Sequence, residues 1–575
     1  MLKFAYRAKR ISTAFVVGFS ALGFCSSAFA APVIADRLLN SDREAQNWLM
    51  QYQQYSSHSF SKLSQINSNT VTGLGIKYAV ALGGMVGAGA PRQEATPLVN
   101  DGFMYVNNAR NQVYKIDVRS GTRGEIVWKF DSELDAEAAI LMTSRGIALL
   151  DDAVYTFTND QRMIAIDANS GEALFEIKSS SPDDFQNQQH TGAPLAVKDM
   201  ILQGQSNGFA GNRGWLGAFD AANGDLRWRF FVIPGPGEPG HETWADNHNA
   251  WRTGGGAVWS TPSYDPETET VIFGTGDAAP WADPEFRPGD NLFAISTVAL
   301  NVNTGEMNWH FQEIPNESWD YDTISPRMIY NVEIDGALKS VQGHFSRNGY
   351  YYTLDRVNGT FLRGQAYVDN ISWTAGLDPK TGKPVEYDPN VLLQNYGGNA
   401  TRRDRPSLHC PAYSGGPTYF PPSLDTSRMT AYLSGVVGCH SVTVTEPMIF
   451  DKDWRGERMC CKTTAAVGPR FGHVTGFDVR TGEVSAKAVT PYPIRSGVMA
   501  TAGDLVFTGH SDGKFAAYDS DTLAEVWSAN VGTPIWAAPI SFGVDGKQFI
   551  AVVAGGKSTT DPILEGTAML FVFGL

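Results

Sequence analysis

No run of twenty unbroken apolar residues occurs after the first twenty-five positions, so the body of the chain offers no helix with the length to span a bilayer. Cysteine is scarce, with 5 in 575 residues, and none stands in a Cys-x-x-Cys-His, which excludes covalent c-type haem. Cations are outnumbered: 45 Lys and Arg face 60 Asp and Glu, for a formal charge of -15. That balance argues against nucleic acid as a partner. It suits solubility and docking to a basic protein.

The N-terminus carries Lys3, Arg7, Lys9 and Arg10, a mostly apolar run from Ile11 to Cys25, and Ala28-Phe29-Ala30 ahead of Ala31-Pro32. This is the pattern of a cleaved Sec-type signal over residues 1–30; Leu22-Gly23-Phe24-Cys25 is a poor lipidation box. Removing the four cations with the leader takes the formal charge to -19. The mature protein is expected to be exported, most simply to a bacterial periplasm. Cys410, Cys439, Cys460 and Cys461 remain there, an even number in an oxidising compartment. Disulfides follow, with three pairings possible and none selected by the sequence.

Length alone would allow three or more domains, but a short repeat points to one, over 31–575. An apolar pair, Asp or Asn, two variable residues, a small polar residue and Gly are followed by an aromatic eight positions after the acid. Copies are Asp167 to Phe175, Asp220 to Trp228 and Asn301 to Trp309. Weaker ones start at Asp117, Asp355, Asp378, Asp478 and Asp519. Spacings of 50, 53 and 81 residues, and of 41 between the last two, fit four-stranded units with insertions. Between the turns lie short apolar runs such as Met104-Tyr105-Val106-Asn107, read as strands. The expected fold is all-β, a propeller of about eight blades in which the aromatic packs between adjacent sheets. Residues 235–252 and 384–470 break the rhythm and are expected to cap one mouth of the central channel.

The span 254–322 concentrates the chemistry. It holds Gly-Gly-Gly-Ala-Val-Trp259, Gly-Thr-Gly-Asp277, Arg-Pro-Gly-Asp-Asn291 and Trp319-Asp320-Tyr321-Asp322. Glycines let backbone approach a flat ligand, Trp259 offers a stacking face, and Asp277, Asp320 and Asp322 are hard oxygen ligands for a cation. Residues two apart in an extended segment point the same way, so Asp320 and Asp322 are expected to face one ion.

With these motifs in this order, the chain resembles the pyrroloquinoline-quinone-dependent alcohol and methanol dehydrogenases, a quinoprotein family of eight-bladed propellers with tryptophan-docking motifs. The likeness starts at Leu63-Ser64-Gln65-Ile66-Asn67, strengthens through 254–355 and returns at 497–509. It implies that Trp259 is the floor under the quinone, Asp320 the catalytic base, and Arg347 a contact to the quinone oxygens. Glu94, Arg145, Thr191 and Ser206 are implied as further cofactor contacts, and Asp277, Asp320 and Asp322 as metal ligands. Asp322 is similar to the extra acid of lanthanide-dependent members, so the implied ion is calcium or a lanthanide. The implied activity is oxidation of an alcohol to an aldehyde or ketone, with electrons passing to a separate cytochrome c.

The chain departs from the family pattern inside the site. A metal-binding glutamate falls on Phe209, with Asn207 and Asn212 nearby, and the asparagine of Gly-Thr-Gly-Asn becomes Asp277. Adjacent cysteines are replaced by Ala139-Ile140, a hydroxyl residue by Ala257, and an asparagine near Val436 is missing. One expectation is rearrangement, with the acid lost at Phe209 recovered at Asp277, and Cys460-Cys461 or pairings with Cys410 and Cys439 replacing the lost disulfide. Alternatives are a propeller scaffold without catalysis, and a quinoprotein acting on a sugar or polyol.

Overall fold

A computed structural model of the chain describes residues 30–83, 91–135, 142–180, 188–246, 248–446, 462–557 and 564–575. The expected signal segment, Ala139-Ile140 and Cys460-Cys461 lie outside them. The described residues are almost wholly β, arranged in eight sheets that follow one another along the chain. Seven are built on consecutive antiparallel strands: 98–130, 148–178, 195–231, 263–312, 328–366, 423–490 and 498–530, with Ser407–His409 added to the sixth and Phe60–Ser61 paired in parallel at the edge of the seventh. In the eighth, strands Ile540–Val544, Lys547–Lys557 and Glu565–Gly574 are completed by Gly75–Ala81, which pairs with Glu565–Gly574 from Gly75 opposite Gly574 to Ala81 opposite Met569. The two ends of the chain thus share one sheet. Among the described residues no helix is long and apolar enough to cross a membrane.

Within a sheet, inner strands such as Phe103–Asn107 are buried along their whole length, whereas the outer Glu125–Phe130 buries Trp128 and exposes most of the rest. A strand covered on both faces needs a continuous apolar run, and an outer strand needs only one apolar anchor. That anchor is the repeat's aromatic. Trp128 donates its indole N–H to the Ala168 carbonyl in the turn of the next sheet at 3.2 Å, Trp228 to Val302 at 2.9 Å, and Trp527 to Leu74 at 3.1 Å. The turn itself is set by its acid: Asp167 Oδ1 accepts the backbone N–H of Asn169 at 3.0 Å and of Ser170 at 2.7 Å. The turn glycine then meets the ring. At Gly305, with φ +73°, an added Cβ would lie 2.7 Å from the Trp228 indole.

Two sequence expectations change. The copy at Asp378 belongs to no sheet; it turns within the connection 367–422, where Gly382 packs on Phe361. Eight copies therefore serve seven sheets plus one connection, and the eighth sheet is completed by the N-terminal strand instead. The stretch 384–470 is not one loop either: it contains Ser407–His409, Ser423–Asp425, all of Thr430–Val444 and part of Lys462–Asp478, strands of the sixth sheet. Its glycines and cysteines hide the alternation that marks a strand.

Gly305→Ala should destabilise the protein by about 1–3 kcal/mol, since the methyl is forced against the indole as well as into a left-handed backbone. Gly546, with φ +71° and open space around it, isolates the backbone part. Urea unfolding midpoints should fall further for Gly305→Ala than for Gly546→Ala, and equal shifts would remove docking against the tryptophan as the cause.

Candidate functional site

Three turns stack where the acid cluster forms. Gly255 N–H donates to the Asn212 carbonyl at 2.9 Å, and Gly256 N–H donates to the Asp277 carbonyl at 2.8 Å. Gly276 N–H donates to the Ala257 carbonyl at 2.8 Å. A Cβ on Gly276 would sit 2.9 Å from Asp322 Oδ1, so only glycine allows Asp277 to be brought this close. Asp277 N–H donates to Asp322 Oδ1 at 2.7 Å.

Asp277, Asp320 and Asp322 each present an oxygen within 4.8 Å of the others. Their convergence does not come from an extended segment, as the sequence suggested. Residues 317–322 form no strand, and Asp320 has φ +64°. Two clamps do the work. Glu317 Oε1 accepts the backbone N–H groups of Trp319 at 2.5 Å and Tyr321 at 3.0 Å, folding the segment back. Arg347 then bridges both acids: Nη1 lies 3.0 Å from Asp320 Oδ1 and 2.6 Å from its carbonyl, and Nη2 lies 3.2 Å from Asp322 Oδ2. A planar guanidinium fork suits such a double contact.

The electrostatics favour a cation. Burial, reinforced by Asp322, Asp320 and Glu317, holds the Asp277 carboxyl well above the usual range. Burial also raises Asp320, against the pull of Arg347 and with the push of Asp322. Asp277 Oδ2 is buried with no hydrogen-bond partner among the described residues, and so is Asn212 Oδ1. Orphaned oxygens beside crowded carboxylates fit a hard metal ion. Phe209 stands half-buried in the short turn Gly208–Ala210 and offers no oxygen.

The second group lies beside the first. Arg145 donates from Nη1 to Thr191 Oγ1 at 2.6 Å and to the Trp259 carbonyl at 3.1 Å, and its Nη2 is 2.9 Å from Glu94 Oε2. Thr191 Oγ1 and Ser206 Oγ are 2.8 Å apart. The guanidinium carbon lies 4.8 Å from the Trp259 ring centre and 4.3 Å from that of Tyr419. Trp259 is half-buried and packs with Ile324, Tyr419 and Phe420. A half-buried indole with an arginine over its ring and hydroxyls bonded to that arginine fits a flat anionic ring. Trp259 is two residues beyond Ala257 and Ile324 two beyond Asp322, so the indole and the acids share their supports.

Every predicted site residue is thus found in one of these two adjoining groups. Sequence reasoning missed four others. Glu317 and Arg287 are structural partners: Arg287 donates from Nη2 to the Trp281 carbonyl at 2.9 Å and the Glu317 carbonyl at 2.5 Å, tying the Asp277 loop to the Asp320 segment. Arg287 opens the quoted Arg-Pro-Gly-Asp-Asn291 motif and Glu317 stands two residues before Trp319, which was the available signal. Tyr419 and Lys462 carried none. Cys410 and Cys439 form a disulfide, which settles one of the open pairings.

Comparisons with known proteins agree with this geometry. A family model described as glucose/ethanol/alcohol dehydrogenase, beta-propeller domain, matches residues 48–364 and 483–550. The chain is 31% identical over 538 residues to the quinohemoprotein alcohol dehydrogenase of Comamonas testosteroni, across 87% of this chain and 71% of that protein. The crystal structure of that enzyme matches with a TM-score of 0.86 at 28% identity, over 94% of this chain and 82% of the other. The quinoprotein alcohol dehydrogenase PedH of Pseudomonas putida is 30% identical over 527 residues, 86% of this chain and 84% of its own. A europium-containing methanol dehydrogenase matches with a TM-score of 0.85 at 26% identity, over 94% of this chain and 100% of the other.

The raised acids set a pH dependence for metal-free protein. Burial pushes the Glu317 carboxyl from 4.5 to about 7, so the folded state holds its proton where the unfolded chain releases it. The stability this brings is complete below the unfolded value and is lost as pH rises through about 7, on the order of 3 kcal/mol. Denaturation midpoints of metal-free protein should fall between about pH 4.5 and 7, and Glu317→Gln should flatten that slope. A slope unchanged by the substitution would assign the effect elsewhere.

Proposed function

The chain belongs to the pyrroloquinoline-quinone-dependent alcohol dehydrogenase family, and on that premise we propose that it oxidises an alcohol to an aldehyde or ketone. The observation that carries this reading is the convergence of Asp277, Asp320 and Asp322, two of them clasped by Arg347, near the half-buried indole of Trp259. The eight sheets are read as the eight blades of a single ring over 31–575, docked by the repeat's tryptophans.

In this reading Asp277, Asp320 and Asp322 hold calcium or a lanthanide ion, whose charge relieves their mutual repulsion. Trp259 is the floor of the quinone, and Arg145, kept in place by Glu94 and Thr191, faces its anionic edge with Ser206. When bound, the quinone supplies a two-electron acceptor and the ion polarises its carbonyl. Asp320 takes the hydroxyl proton of the alcohol on its carboxylate, and Arg347, 3.0 Å from Oδ1, fixes the orientation of that carboxylate. The basic residues followed by an apolar run and Ala28-Phe29-Ala30 support export to the periplasm. The sequence has no haem attachment motif, which supports electron delivery to a separate cytochrome c.

Purified protein given the quinone and calcium or a lanthanide should reduce an artificial acceptor on addition of alcohols. Asp320→Asn should cut turnover about 10²–10⁴-fold, the range for a lost general base, while the absorbance of bound quinone persists. Turnover within tenfold of wild type would remove Asp320 from the base role, whereas silence of the wild type with every ion and alcohol would remove the activity itself.

A further inference from the structure

Residues 365–482 fall between the two parts of the chain that the family model matches, yet they are tied directly to the acid cluster. The Tyr321 hydroxyl, from the residue between Asp320 and Asp322, donates to the Pro411 carbonyl at 2.6 Å. The Trp319 indole N–H donates to the Asn399 carbonyl at 3.0 Å, and Thr401 Oγ1 donates to the Ser318 carbonyl at 2.8 Å. From this base the strands Thr430–Val444 and Lys462–Asp478 run as a long pair, ending with Val444 opposite Lys462.

The end of this pair meets the loop that carries Asp277. Trp281, four residues after Asp277, packs with Val442, and its ring lies 3.8 Å below the Lys462 ammonium. Among the described residues no carboxylate is within ion-pair distance of that ammonium; its direct partner is the indole face. A lysine head is normally left in water, and a desolvated one is held by a ring quadrupole together with nearby negative charge. The negative charge here is Asp320 and Asp277, which oppose the lowering of the Lys462 pKa by burial.

We propose that Lys462 is a tethered cation of the aspartate cluster, standing in its field when no metal ion is bound and opposing the entry of one. The inference rests on the metal-binding reading given above. Two of the three carboxylates already share Arg347, and the Lys462 ammonium adds a second cation on Trp281, so an arriving divalent or trivalent ion meets like charge there. The flexible four-carbon stem lets the ammonium withdraw, which limits the penalty. Metal loading and the seating of Lys462 on Trp281 are therefore antagonistic. Lys462 lies outside the residues matched by the family model, whereas Trp281 and the three acids lie inside them.

Terbium(III) titrated into purified full-length protein, with luminescence excited through tryptophan and reversed by calcium, reads ion binding without turnover. Lys462→Met keeps the stem on Trp281 and removes the charge; its terbium affinity should be tighter than wild type by about tenfold, as expected for one like charge removed at partly screened range. Lys462→Arg keeps the charge and should stay within twofold, and Lys462→Gln serves as a second neutral variant should the methionine form not fold. Neutral variants that bind terbium no more tightly than wild type would overturn the proposal, as would equal tightening by Met and Arg, which would make shape the cause. A signal that survives Asp277→Ala combined with Asp322→Ala, or no signal in any form, would instead remove the metal-binding reading and this inference with it.

Discussion

Carboxylates out of water and within 4.8 Å of one another repel strongly, and the site exists only because the fold prevents them from separating. Arg347 compensates part of the charge and bridges two of the three. Glu317 adds no compensation; its role is geometric, accepting two backbone N–H groups so that Asp320 can take its left-handed conformation. Arg287 then joins the Glu317 and Trp281 carbonyls and fixes the third acid's loop. The result is a set of acids with raised proton affinities and an orphaned oxygen. A metal ion would be stabilised there by the same repulsion that makes the empty cluster costly.

These parts come from different sheets, so the site requires the sheets to hold their order. Asp277 follows the second strand of the fourth sheet, Asp320 and Asp322 lie between the fourth and fifth, and Arg347 lies between two strands of the fifth. Buried Glu313 couples the last two: its carboxylate accepts from Thr323 Oγ1 and, at 3.0 Å, from Asn348 Nδ2, the neighbours of Asp322 and Arg347. Arg145 and Thr191 arrive from before the second and third sheets. The pairing of Gly75–Ala81 with Glu565–Gly574 joins the chain's ends in one sheet, which opposes spreading of the sheets between them.

The repeat and the cofactor motifs were legible because their chemistry is local. An Asp that accepts its own turn's N–H groups, a glycine at positive φ, and a tryptophan eight residues on all act within a dozen residues, and each leaves a fixed spacing. Trp259, Asp277, Asp320 and Asp322 were legible for the same reason. The mechanism of their convergence was not, since the clamp by Glu317 and the bend at Asp320 depend on tertiary partners. Asp378 copied the turn without a sheet to serve. Lys462 and Tyr419 reach the site from a connection and a strand pair distant in sequence, and no spacing encodes that approach.

On the proposed metal-binding reading, the position of Asp277 has a physical basis in the stacked turns. Gly255 bridges Arg213 on one side and Ala278 on the other, so the turn holding Phe209 and Asn212 and the turn holding Asp277 are neighbours across a single backbone segment. An oxygen supplied from either turn approaches the same place. Phe209 gives the first turn no oxygen, Asp277 gives the second a carboxylate, and Asn212 Oδ1 is buried without a hydrogen-bond partner among the described residues. Asp277 and Asp322 come from two turns linked by the Asp277 N–H to Asp322 bond, and Trp281, under the Lys462 ammonium, follows Asp277 by four residues on the same loop.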